Sequence, residues 1–317
     1  MEELTGPAVR RSAARSCAGA AACLALLAAL APVDAAQAGL FKRGKGPAAA
    51  AASAQAGAVA QAVRLALDED RLVDAGKLLD QAFASGDADP ELVLLSGELH
   101  LAKGRNDSAL RSFAAAEATP ALAARAAEGR GLALAAMNRS DDAMKALLSA
   151  TAANPSLWRA WNALGVEYDR RKEWSSAENA YQQALKSPKA TAAVYCNQGY
   201  SLLLQGRYDE SAQALVTALQ KDPALAQART NLRLALALRG DYGRATAVNA
   251  SEDRAAVLNN AGYVAMLRGD LEQAESLFNQ AIETRGRFYG RAYENLTLVR
   301  SLRAAPNAAA APANANP

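Results

Sequence analysis

Histidine occurs once in these 317 residues, cysteine three times, and aromatic side chains make up only 5 %. Each shortage removes a class of chemistry. A lone His100 with no second histidine or cysteine near it in sequence leaves no set of ligands for a structural or catalytic zinc ion, so no metal is expected. Two of the cysteines, Cys17 and Cys23, lie in an N-terminal apolar segment, and Cys196 alone cannot close an internal disulfide. Charged residues are 21 % with a net charge of +3, and no basic stripe marks a nucleic-acid footprint. There is no phosphate-cradling loop, no G-x-S-x-G elbow and no HExxH pair. An enzyme is not expected, nor a cofactor, nor a small-molecule substrate.

Long apolar runs are missing too. The longest, Cys17 to Leu30, has 14 residues, short of the roughly 20 that span a bilayer as a helix. It follows Arg10, Arg11 and Arg15 and precedes small residues ending in Ala36-Gln37-Ala38, the three-part build of a cleaved export signal over residues 1–38. Two alternatives stay open. One is an uncleaved anchor. The other is lipidation at Cys23, which is disfavoured because the most apolar part, Leu24 to Leu30, would follow the cut. The expected location is the periplasm, with peripheral or outer-membrane association left open. Residues 39–57, with Lys42-Arg43-Gly44-Lys45 and an Ala/Gly/Ser stretch, read as a flexible linker.

What the chain has in abundance is alanine, and the alanines keep time. Ala75, Ala109, Ala143 and Ala177, then Ser211 and Ala245, stand 34 residues apart. Gly97, Gly131, Gly165, Gly199 and Gly262 each precede a column member by 12, and Leu79, Phe113, Leu147, Tyr181, Leu215 and Phe278 each follow one by 4. A further alanine column follows by 7, at Ala82, Ala116, Ala150, Ala184, Ala218 and Ala281. Turn-type residues fall at Gly104, Asn138, Gly206, Gly240 and Gly269. Small, large and small columns at this period describe two antiparallel helices per unit, brought close where the glycines stand.

The expected fold is therefore all-α, a right-handed superhelical solenoid of about seven helix pairs over residues 58–303 with a C-terminal capping helix. First helices begin near 56, 90, 124, 158, 192, 226 and 255. The step from Ala245 to Ala274 is 29, five short of the period, and the loss falls on a second helix placed at about Tyr242 to Asn249. Gly290 to Arg303 reads as the cap, with Leu296 and Val299 on one face, and the Ala/Pro/Asn tail over 304–317 as disordered.

A stack of helix pairs makes a groove lined by first helices. Counting from the glycine column, the groove residues are Asn162, Asn197, Asn231, Asn259 and Asn260, with Tyr200 and Tyr263 one place after the column. Asn197, Asn231 and Asn260, with Asn295 in the cap, would form a ladder of amides able to hold an extended polypeptide whatever its sequence. The competing reading is that these amides satisfy neighbouring backbone groups. His100 falls on the same inner face as a packed or partly exposed polar residue. A clamp for an acidic C-terminus would need paired basic residues there, and Arg159 and Arg229 are the only candidates.

Column by column, Trp161, Leu164, Gly165, Tyr168, Ala177, Tyr181 and Ala184 resemble the tetratricopeptide repeat. That resemblance implies a protein–protein interaction module. Within 161–274, the run Asn162-Ala163-Leu164-Gly165-Val166, Asn197-Gln198-Gly199-Tyr200, Thr230-Asn231-Leu232 and Asn259-Asn260-Ala261-Gly262-Tyr263, with the short unit before the last, resembles the TadD family of tight-adherence (Flp) pilus assembly proteins. This second resemblance implies an envelope component that holds pilus or secretion assembly partners, often as a lipoprotein. The chain departs from that pattern in lacking a convincing lipobox. A general periplasmic adaptor, or a chaperone-like peptide binder, is the alternative.

Overall fold

The computed structural model describes residues 47–248, 252–285 and 289–304. The stretch read as an export signal, the first part of the expected linker and the expected tail from residue 305 lie outside them. Among the described residues every regular element is a helix. They divide into two compact units, one reaching Ala190 and the other starting at Thr191.

The first unit holds four pairs. These are α1 (Pro47–Asp68) with α2 (Leu72–Ala84), α3 (Pro90–Ala102) with α4 (Asn106–Glu117), α5 (Ala123–Ala136) with α6 (Ser140–Ala153), and α7 (Trp158–Arg170) with α8 (Trp174–Leu185). The second holds α9 (Ala192–Leu204) with α10 (Tyr208–Lys221), α11 (Ala226–Arg239) with the single turn α12 (Tyr242–Ala245), and α13 (Arg254–Arg268) with α14 (Leu271–Arg285). The closing helix α15 (Gly290–Ala304) follows. From the second pair onwards, the expected first-helix starts agree with these within two residues.

One expectation is corrected. Helix α1 begins at Pro47, inside the 39–57 stretch expected to be a linker. Pro at the first helical position and a run of alanines, the best helix former, favour a helix over this stretch.

The columns become contacts. A Cβ placed on Gly165 would stand 2.5 Å from Tyr181 Cε1, one on Gly131 or Gly199 2.6 Å from Leu147 or Leu215 Cγ, and one on Gly262 2.8 Å from Phe278 Cε1. The first helix of each such pair thus lies against the large residue of its second helix. Those large residues and both alanine columns are buried. Ser211 departs from the alanine column for a visible reason: its hydroxyl donates to the carbonyl of Gly199 at 2.7 Å. A serine there adds a hydrogen bond at little cost in volume.

First helices end in one repeated turn. Asp70, Gly104, Asn138, Lys172, Gly206 and Gly240 all have positive φ. The next residue's N–H returns to the carbonyl five places back, as Arg105 to His100 at 2.8 Å and Glu173 to Tyr168 at 2.9 Å. This is the 6→1 bond of a left-handed helix cap. Asp and Asn tolerate that conformation, but a lysine does so only at roughly 1–2 kcal/mol. Lys172→Gly is therefore expected to stabilise the first unit by about 1 kcal/mol, the remainder going to the extra freedom of glycine in the unfolded chain. A urea midpoint that falls or stays put would contradict this.

The short step also has a physical account. The second helix is short where the 29-residue spacing places the loss, and α12 ends at Ala245 after one turn, before the expected Asn249. The glycine-column position of α11 is Arg233. With no long second helix opposite, its guanidinium donates to Ala247 O at 3.0 Å and pairs with Glu252 at 2.7 Å. The arginine occupies volume that a second helix fills in the other pairs. Tyr242 packs on the apolar cores on both sides of the short step, and its hydroxyl donates to the Asp270 carboxylate. Burial and that carboxylate together push the phenol up to about 12. At the N-terminus of α13, Asp253 accepts from Ala256 N at 3.1 Å, as a cap should.

Candidate functional site

The inner columns differ between the two units. In the first unit, the column six places before the glycines carries Glu91, Arg125 and Arg159. Arg125 reaches Glu91 at 2.7 Å and Glu98 at 2.9 Å, tying α5 to α3, and Arg64 of α1 also pairs with Glu91. Burial raises the Glu91 carboxyl, but the hydrogen bonds and charges of Arg125 and Arg64 outweigh it and hold the group below its ordinary range. The same column in the second unit reads Ala193, Gln227 and Ala256.

Glu128 is the exception within this network. It is buried and accepts from Ala160 N at 3.0 Å, near the N-terminus of α7. Desolvation is the largest influence and raises its carboxyl above the ordinary range, with Arg159 and the Ala160 N–H opposing it. A carboxyl that holds its proton more tightly when folded contributes stability that is present at low pH and is lost as pH rises through the folded pKa. Glu128→Gln removes that loss while keeping an acceptor for Ala160. The melting temperature of the variant minus that of the parent is expected to rise from pH 4 to pH 7; a difference that falls over this range would refute the reading.

Two members of the expected amide ladder, Asn197 and Asn231, are buried, while a third, Asn260, is exposed. Asn197, Asn231 and Asn259 are 5 %, 8 % and 2 % exposed. Asn259 accepts from Asn295 Nδ2 at 3.0 Å, joining α13 to the closing helix, and Asn231 Nδ2 lies 4.0 Å from Cys196 Sγ, between α11 and α9. Asn231 and Asn259 thus face a neighbouring helix, so their amides lie within the stack. Asn260 is exposed, Tyr200 is half-buried, and Asn162 is half-buried on α7 in the first unit.

Apolar side chains also remain open on the first helices of the second unit. Tyr263 is 46 % and Leu267 67 % exposed on α13, and Leu204 on α9 is also exposed. Tyr200, Leu234 and Leu238 are half-buried. Residues four apart share a helix face, so Tyr200/Leu204, Leu234/Leu238 and Tyr263/Leu267 make the same pair on three first helices, of which α11 packs on both others. Only the two tyrosines were found from the sequence; the leucines were in the same phase, four places on.

The clamp for an acidic terminus is not assembled. Arg229 donates to Pro223 O at 2.6 Å and lies 3.7 Å from Glu252. Arg159 belongs to the first unit and acts on Glu128. His100 is half-buried, with burial the first of the influences that lower its pKa. Among the described residues no group of three His, Cys, Asp or Glu side chains could hold a metal ion, and no helix is long and apolar enough to cross a membrane.

Models of the tetratricopeptide repeat match residues 94–157, 129–193, 162–226 and 196–251, and a further one matches 255–286. No curated protein matches the sequence. Solved structures with a similar fold include a tetratricopeptide repeat protein from Parabacteroides merdae, at 18 % identity over 77 % of this chain and 98 % of that one, with a TM-score of 0.46. The APC/C hetero-tetramer Cut9-Hcn1 gives 14 % identity, 75 % and 48 % coverage and a TM-score of 0.56. A thermophilic repeat protein of Thermus thermophilus gives 21 %, 57 % and 98 %, and 0.50. At these identities the likeness to the last two is one of fold alone.

Proposed function

The chain belongs to the tetratricopeptide repeat family, and on that premise we propose that it is a non-catalytic scaffold of the bacterial envelope whose second unit holds a partner polypeptide on its first helices. The observation that carries this is the exposure of Leu204 on α9 and of Tyr263 and Leu267 on α13, with the half-buried Tyr200 completing the matching pair on α9. Exposed apolar side chains in a row cost solubility and are kept where something covers them. The Cut9-Hcn1 structure is that of a hetero-tetramer, in keeping with a fold that works by holding other chains.

The finer reading is assistance in assembling a Flp/tight-adherence type pilus or secretion machine. It is supported by the Asn-x-x-Gly-Tyr-like elements of 161–274 and by the export-type segment at 1–38. A photo-crosslinking amino acid placed at Tyr263 in cells is expected to form a discrete adduct with an envelope polypeptide. No adduct from either 263 or 200 would overturn the scaffold role at this face. A gene neighbourhood without a secretion ATPase or prepilin would remove the pilus assignment and leave the adaptor.

A further inference from the structure

Charge separates the inner faces of the two units. Taking the places six, three and two before the glycine column and one, four and five after it, α3, α5 and α7 carry seven charged residues and α9, α11 and α13 carry none. Arg233 stands at the reference position of α11 and is turned away, to Ala247 O and Glu252. A charged group docked on such a face would lose its hydration and meet no counter-ion at these positions, which opposes docking. Electrostatics therefore selects an occupant whose docking side is uncharged.

Hydrogen bonding selects its conformation. An extended segment brings unpaired backbone N–H and C=O groups and needs partners for them along its length. Of the ladder amides that would have served, Asn197 and Asn231 are buried in the stack and Asn295 is bonded to Asn259, so Asn260 is the one left exposed, too few to serve a segment along its length. A helix satisfies its own backbone and asks only for apolar contact. Dimensions agree: three first helices at about 8–10 Å spacing give a strip roughly 20 Å long, which is about four turns of a docked helix at 5.4 Å each.

Resting on the proposed groove function, we infer that the strip formed by Tyr200, Leu204, Leu234, Leu238, Tyr263 and Leu267 receives an amphipathic helix with an uncharged, leucine-type face, the helix-in-groove mode of recognition. The probe is a fluorescein-labelled 16-residue helix with leucines at i, i+3, i+4 and i+7 and a Gln/Lys far face, titrated into the full chain by anisotropy. One control peptide has two of the leucines replaced by glutamate, and another carries a central proline that breaks the helix. The leucine helix is expected to bind, each control to bind at least about tenfold more weakly, and Tyr263→Ser/Leu267→Ser to weaken the leucine helix about tenfold with its melting curve unchanged.

The outcomes separate the two readings. Equal binding of the proline peptide overturns the helical occupant while the groove stands. Failure of the leucine helix, with a 263 adduct still formed in cells, overturns the occupant class alone. Failure of both removes the groove as well. Tighter binding once residues 305–317 are deleted would give the strip to the chain's own tail, and a concentration-dependent dimer abolished by the double variant would give it to a second copy; either result displaces the proposal.

Discussion

Gly165→Ala is expected to destabilise the first unit by about 3 kcal/mol, whereas the same substitution at Gly57 is expected to stabilise it by about 1 kcal/mol. In a helix interior, alanine is favoured over glycine by roughly 0.8–1 kcal/mol, and nothing else differs at Gly57, where an added Cβ would meet no atom within 4 Å. At Gly165 the added carbon would stand 2.5 Å from Tyr181 Cε1. That ring has no easy retreat, because it is 1 % exposed and its hydroxyl donates to Asp169 Oδ2 at 2.7 Å. Moving it strains packing, at roughly 1–3 kcal/mol for overfilling, and also loosens a hydrogen bond to a carboxylate worth about 1.5–3 kcal/mol. The steric side outweighs the propensity side several-fold. Urea unfolding followed by amide exchange should show the loss concentrated in α7, α8 and their neighbours, as nearest-neighbour stacking requires. A rise in stability at Gly165 would mean that the glycine column is not a packing feature.

Most of the fold was legible in the sequence because one constraint, close approach at a fixed phase, writes itself into residue size every 34 places. The shortened step was legible for the same reason: a lost turn of helix shifts every later column together. The site was only partly legible. Helical phase says which residues share a face with Asn197, but whether that face meets open solvent or the next first helix depends on the rotation between successive pairs, which no single repeat encodes. Hence Asn231 and Asn259 went inside while Tyr263, four places after Asn259, stayed out. Arg233 was the signal most easily missed. Its column reads glycine in five other repeats, and an arginine there announces that the partner helix has gone. Lys172 was hidden differently, since it takes a turn conformation that its side chain does not advertise.

Phe113→Ala should be the most damaging single truncation, at about 3–5 kcal/mol. Phe113 is fully buried, and it is sandwiched between two glycines from successive first helices. An added Cβ on Gly97 would lie 2.7 Å from its Cε1, and one on Gly129 would clash with its Cζ. Removing the ring opens a void that neither flank can fill, because both flanking residues lack side chains. Large-to-small costs grow with the residual cavity, by about 24 cal/mol for each Å³ in well-studied cores. The void also lies at the seam between the α3/α4 pair and α5, so its cost is shared by two repeats and should lower the cooperativity of the first unit as well as its midpoint. A size exchange distinguishes this account from a general loss of apolar area. Gly129→Leu alone should be destabilising through overpacking, yet in the Phe113→Ala background it supplies volume to the void and should recover at least about 1 kcal/mol, a favourable coupling in a double-mutant cycle. Additive losses in that cycle would show that Phe113 stabilises the repeat through burial alone, without the shape match to its glycine partners.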